Sequence, residues 1–202
     1  NRLPAVDFQS GDVTGSGAIW KTTPDAEGIK YKADVTIGNA AALAGPLKEP
    51  VKDLNATVKL MEQDLVIEPA RFTFGDSQFQ LATEIVNFST PNISGRLESD
   101  ELKVPQIIAG LRGGEQQEEK GQEEGSGVGK PGEFTLNMII KANSIYTGQF
   151  STGPLFGTLQ SSGEKYTFAP ATLQLFGGEV QANSEFLPVE QAIQWKVDFN
   201  GS

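Results

Sequence analysis

The sequence contains no cysteine and no histidine. That excludes disulfides, zinc sites built from Cys and His, a thiol nucleophile and every triad whose base is an imidazole. It also lacks basic excess: 16 Lys and Arg stand against 26 Asp and Glu, for a net charge of −10. A chain so acidic has no stripe of cations for phosphate contact, which argues against nucleic acid as a partner. The same deficit argues against polybasic docking on anionic headgroups, so any lipid role must work through acyl chains. No run approaches the roughly 18 apolar residues of a membrane-spanning helix. Helix-forming stretches are few as well. With no catalytic motif on the page, the expectation is a protein that is not an enzyme and carries no cofactor and no metal.

What is present is enough for a folded protein. Hydrophobic residues make up 38% of the 202, charged residues 21%, and 12 Phe with 2 Trp supply bulk. These values lie outside the disordered range. The bulky residues alternate with polar ones: Phe72-Thr73-Phe74, Phe79-Gln80-Leu81, Leu173-Gln174-Leu175 and Trp195-Lys196-Val197-Asp198-Phe199. Period 2 gives each segment one apolar and one polar face, the signature of a strand. Turn residues recur at Gly75-Asp76, Pro91-Asn92, Ser162-Gly163 and Gly177-Gly178, so the fold expected is all-β with about a dozen short strands. Two short helices are expected, one near 39–47 on its alanines and one over 105–112 after Pro105.

Three regions follow from this patterning. Residues 1–112 carry strands and both helices, and 133–202 carry further strands. Between them, 113–132 hold 5 Glu, 2 Lys, many Gly and one bulky residue, Val128. That segment is expected to be a solvated acidic loop, since nothing in it offsets ordering entropy. The chain opens Asn1-Arg2-Leu3-Pro4, without an initiator Met or a signal-like stretch, and strand-like alternation reaches both ends. The expectation is a segment of a longer protein.

An internal echo runs through the sequence. Leu54-Asn55-Ala56-Thr57-Val58 aligns with Leu155-Phe156-Gly157-Thr158-Leu159, and Glu68-Pro69-Ala70-Arg71-Phe72 aligns with Ala169-Pro170-Ala171-Thr172-Leu173 at the same spacing. Gln80 and Glu84 then meet Gln181 and Glu185. The unit is about 100 residues, longer than the roughly 20–30-residue rungs of a β-solenoid. Tandem units of one type imply stacking with a shared apolar face.

On these residues the chain resembles the AsmA-like family, which includes AsmA, TamB and relatives in Gram-negative bacteria. The carrying stretch is Leu173-Gln174-Leu175-Phe176-Gly177-Gly178-Glu179-Val180-Gln181-Ala182, with Trp195 to Ser202 similar to the closing strand after it. Ile93 to Pro105 is similar to the family's strand leading into a short helix. The resemblance implies a long, twisted, mostly antiparallel sheet curled into an open groove. It further implies tandem repeats, periplasmic exposure, an inner-membrane anchor in regions outside this chain, and phospholipid transfer supporting outer-membrane lipid homeostasis. Phospholipid or another acyl-chain lipid would be the partner, with envelope proteins as further candidates.

Ten residues are the expected lipid contacts: Phe72, Phe74, Phe79, Leu81, Leu173, Leu175, Phe186, Trp195, Val197 and Phe199. On the residues alone they are either the core of a closed sandwich or barrel, or the lining of a trough. The rival function is a structural or interaction module: an adhesin-type domain, or a scaffold for outer-membrane protein assembly acting through an edge strand. Other motifs carry less. Gly11 to Gly17 lacks the Lys-Ser/Thr ending of a phosphate loop. The carboxylates sit mostly at turns or polar alternate positions, where solvation is the default rather than glycoside hydrolysis. Asn55, Asn87 and Asn92 head glycosylation sequons of a kind common by chance.

Overall fold

The computed structural model of the chain describes residues 6–20, 30–44, 47–112, 134–162, 165–189 and 192–201. Twelve strands and one helix occur among them: β1 (Val6–Trp20), β2 (Lys30–Ala44), β3 (Val51–Met61), β4 (Asp64–Phe74), β5 (Ser77–Val86), β6 (Asn92–Lys103), α1 (Val104–Arg112), β7 (Thr135–Tyr146), β8 (Ser151–Thr152), β9 (Leu155–Ser162), β10 (Lys165–Leu175), β11 (Gly178–Val189) and β12 (Ala192–Gly201). The all-β expectation holds. The acidic loop expected over 113–132 lies outside the described residues.

All the strands belong to one sheet, ordered β1-β2-β3-β4-β5-β6-β7-β9-β10-β11-β12, with β8 pairing β7. Neighbours are antiparallel except β6 and β7, which run parallel in the register Ile93↔Leu136 and Leu97↔Ile140. A parallel pair needs a crossover rather than a hairpin, and α1 stands at the start of that crossover. The sheet is open, with β1 and β12 at its two ends. Neither a sandwich nor a barrel forms from the described residues.

The tight turns follow backbone chemistry. Between β4 and β5, Gly75 (φ 54) and Asp76 (φ 60) both lie in the left-handed region, as a two-residue hairpin turn of the primed type demands. Between β10 and β11, Phe176 (φ 49) and Gly177 (φ 87) do the same. Both hairpins also break register upstream of the turn, between Ile67 and Ala70 in the first and between Phe168 and Ala171 in the second.

The helix expected near 39–47 is not formed; β2 continues through it to Ala44. Register shifts fall between Ile37 and Ala40 and between Ala40 and Ala42, and Asn39 takes a φ of 48. The amide of Asn39 finds its acceptor in the Asn55 side chain on β3, at 3.1 Å. The alanines there serve close packing rather than helix propensity. Ala40 is 0% exposed, and a Cβ on Gly11 of β1 would stand 2.4 Å from its Cα. Tertiary contact overrides intrinsic preference at such a site.

α1 matches the second expected helix and packs at one end of the sheet. Gly110 approaches the Phe74 ring so closely that a Cβ would lie 2.8 Å from Cζ, while a Cβ on Gly75 would lie 2.6 Å from the Ile107 nitrogen. The Gly110 carbonyl accepts the Lys48 amide at 3.0 Å. Two serines tie the same end together: Ser77 Oγ accepts the Lys103 amide at 2.8 Å, and Ser99 Oγ donates to the Gln78 carbonyl at 2.8 Å.

Candidate functional site

Register assigns side chains to faces, because residues paired across a ladder share one. Starting at Val35 on β2, the pairings run to Val58, Ile67, Thr83, Gly95, Met138 and Leu159, then to Phe168 on β10. A neighbouring row runs Leu81, Leu97, Ile140 and Gly157. The face so defined is apolar from β2 to β11. The opposite face carries Lys59, Gln80, Glu98, Lys141, Gln160 and Glu185.

All ten expected contacts occupy register positions of the apolar face. Phe72 pairs with Phe79, their rings stacked at 5.2 Å between centroids and 19° between planes. Phe74 pairs with Ser77 and Leu81 with Ala70. Leu173 stands between Leu155 and Val180, and Leu175 opposite Gly178. Phe186 pairs with Tyr166 and Trp195, Val197 with Ser184, and Phe199 with Ala182; the side chains of Phe186, Trp195, Val197 and Phe199 lie outside the described residues. The ten form two groups, on β4–β5 and on β10–β12. The stretch between them, over β6, β7 and β9, is apolar too: Ile93, Leu97, Leu136, Met138, Ile140, Leu155 and Leu159 fill it. Sequence reasoning missed these, although Leu136-Asn137-Met138 shows the same alternation. Their share in one face depends on the parallel β6–β7 register, which no local pattern reveals.

The burial of this face is unusual. Among the described residues, the buried hydrophobic side chains are Ala40, Ala42, Ala56, Ala70, Ala142 and Ala171, plus Phe74 at 8% and Phe79 at 9% exposure. The large aliphatic residues of the face stay half-buried. A covered sheet would bury its large residues most deeply. Here depth goes to alanines close to the sheet backbone, to the Phe74 ring that α1 covers and to Phe79 stacked on Phe72.

Among the described residues, charge is confined to the other face and the strand ends. Lys59 pairs with Glu68, and Lys165 with Glu185 at 2.7 Å. The hydrogen bond and charge of Glu68 raise the Lys59 pKa, and the Lys165 ammonium holds the Glu185 carboxyl below its usual range. Burial on the apolar side raises the Tyr166 hydroxyl. A cavity of about 550 Å³ is lined by the polar Arg71, Gln80, Glu98, Lys141 and Asn143 together with Phe72 and Phe79, two of the ten. No group of three or more Asp or Glu is placed to hold a metal ion among the described residues. No helix there is long and apolar enough to cross a membrane.

Comparisons with protein-family models, with curated proteins and with solved structures found no match.

Proposed function

We propose that this chain is a non-catalytic module that holds or conducts the acyl chains of phospholipids along the apolar face of its sheet, the face being curled into a groove. The observation that carries the reading is a wide apolar face whose large side chains remain half-buried, with no second sheet against it among the described residues. Each methylene of an acyl chain laid on such a face gains roughly 0.8 kcal/mol. An amphiphile can therefore replace the missing layer. The absence of a cationic cluster on that face among the described residues fits selection by tail rather than by headgroup.

The resemblance to AsmA-like proteins supports the same reading. On that resemblance the proposal extends to a periplasmic location, attachment to the inner membrane through other regions, and a role in outer-membrane lipid homeostasis. The paired irregularities of β4–β5 and β10–β11 support its tandem-repeat element. The register break after Ile67 corresponds to that after Phe168, and the turn Gly75-Asp76 to Phe176-Gly177, at the spacing that separates Pro69 from Pro170. A bulge and a turn displaced together are better explained by duplication than by coincidence.

The test is direct. Purified protein is extracted and its lipids weighed by mass spectrometry, then titrated with a fluorescent fatty-acyl probe. Co-purifying phospholipid and saturable probe binding are expected, with binding reduced by Met138→Glu while the far-UV spectrum is kept. A protein that carries no lipid and takes up no probe ends the proposal. The rival reading, an interaction module, draws on the open edges at β1 and β12. It predicts partner capture indifferent to Met138→Glu.

A further inference from the structure

The two matched hairpins differ at both turn positions, and the difference at the first exposes an aromatic pair. In β4–β5 the first turn residue is Gly75, beneath α1, where a side chain would strike Ile107. In β10–β11 the same place holds Phe176, 85% exposed and at a φ of 49. A bulky residue in the left-handed region is strained, and that strain invites a functional reading when burial does not repay it. Phe176 is not alone. Phe150, 43% exposed, comes from the turn closed by the Thr147 amide on the Phe150 carbonyl, and its ring centroid lies 5.6 Å from that of Phe176. Phe176 lines a shallow pocket with Gly153, Gln174, Gly177, Gly178 and Glu179, and Gln149 precedes Phe150 in the chain, with one charge among them.

We infer that Phe150 and Phe176 form an apolar tip that enters the interfacial region of a zwitterionic phospholipid bilayer. The size of the patch selects the partner. An aromatic side chain buries on the order of 150–250 Å², so two of them fall well short of the roughly 800 Å² per partner of a stable protein interface. Shallow insertion in a bilayer needs no such area, only apolar side chains on an accessible protrusion. The net charge of −10 turns the choice toward zwitterionic rather than anionic lipid. The tip also adjoins Leu175 on the apolar face, so a bilayer met there would lie beside the proposed path of the acyl chains. The inference rests on the lipid-handling reading for that placement alone.

Because the chain has no cysteine, Gln149→Cys can carry a single polarity-sensitive fluorophore beside the pair. With phosphatidylcholine vesicles, blue-shifted and brighter emission is expected, and in the Phe150→Ser/Phe176→Ser background vesicle partition should weaken about tenfold or more. Both substituted residues are exposed, so the variant should fold. An unchanged spectrum with vesicles overturns the inference, and so does equal partition of the double variant. Uptake of the acyl probe from vesicle-free solution separates the two proposals. Retained uptake with lost partition supports the tip, and failed uptake by the unsubstituted protein removes the groove while the vesicle spectrum still judges the tip.

Discussion

Single side chains in this sheet are held by two opposite constraints, no room and no cover. Ala40 and Ala142 are both 0% exposed, so Ala142→Leu must push the sheet apart; overpacking of this kind costs about 1–3 kcal/mol. A lowered denaturant midpoint with an unchanged slope would register it. Phe176 is the converse case, strained but surrounded by solvent. Phe176→Gly removes the penalty of the left-handed backbone, about 1 kcal/mol, and is expected to raise the melting temperature. A fall would mean that the ring contributes more to the fold than its 85% exposure suggests. Glu185 gives a pH-dependent prediction. Its carboxyl is held below the usual 4.5 by Lys165, so its contribution is present above the unfolded value and disappears as pH falls through the folded one. The stability difference between the protein and Glu185→Gln should therefore be found at neutral pH and close below that usual value.

At the level of elements, the strands were legible because bulky residues and turn residues each announce them by spacing. Helix α1 was legible from Pro105 and the apolar residues after it. The error at 39–47 has an identifiable cause: alanine favours helices, but it is also the residue that fits where two strands approach closely beside a bulge. Only the contact of Ala40 with Gly11 distinguishes the two, and the sequence does not contain it. The parallel pairing of β6 and β7 was equally hidden, since parallel and antiparallel strands share period 2. α1 can be tested apart from the sheet. Gly110→Ala places a methyl about where the Phe74 ring lies, so the helix should lift from Phe74 and amides near the Lys48–Gly110 hydrogen bond should exchange faster. The strands of β9–β12 should keep their protection, because α1 packs at β6, β7 and the β4–β5 turn.

The described residues form one sheet whose composition suits a protein core, and among them no second sheet covers its apolar face. From the sequence, the ten chosen residues could have been sealed between layers or left accessible. The amount of apolar surface was legible, but its fate was not, because covering it depends on where the chain turns back and no local signal encodes that. A face of this extent, left without a second sheet among the described residues, should be measurable without any assumption about which lipid occupies it. Lipid-stripped protein is expected to bind an apolar fluorescent dye while retaining its cooperative unfolding transition, and a lysophospholipid should displace the dye. Occupation must also stabilise the fold, because a ligand bound only to the native state adds about 2.7 kcal/mol at a hundredfold excess over its dissociation constant. The melting temperature should thus rise with lysophospholipid concentration and rise less for Met138→Glu. If the stripped protein is dark to the dye and indifferent to amphiphile, the half-buried face is closed by something other than lipid, and the sheet belongs to an interaction module.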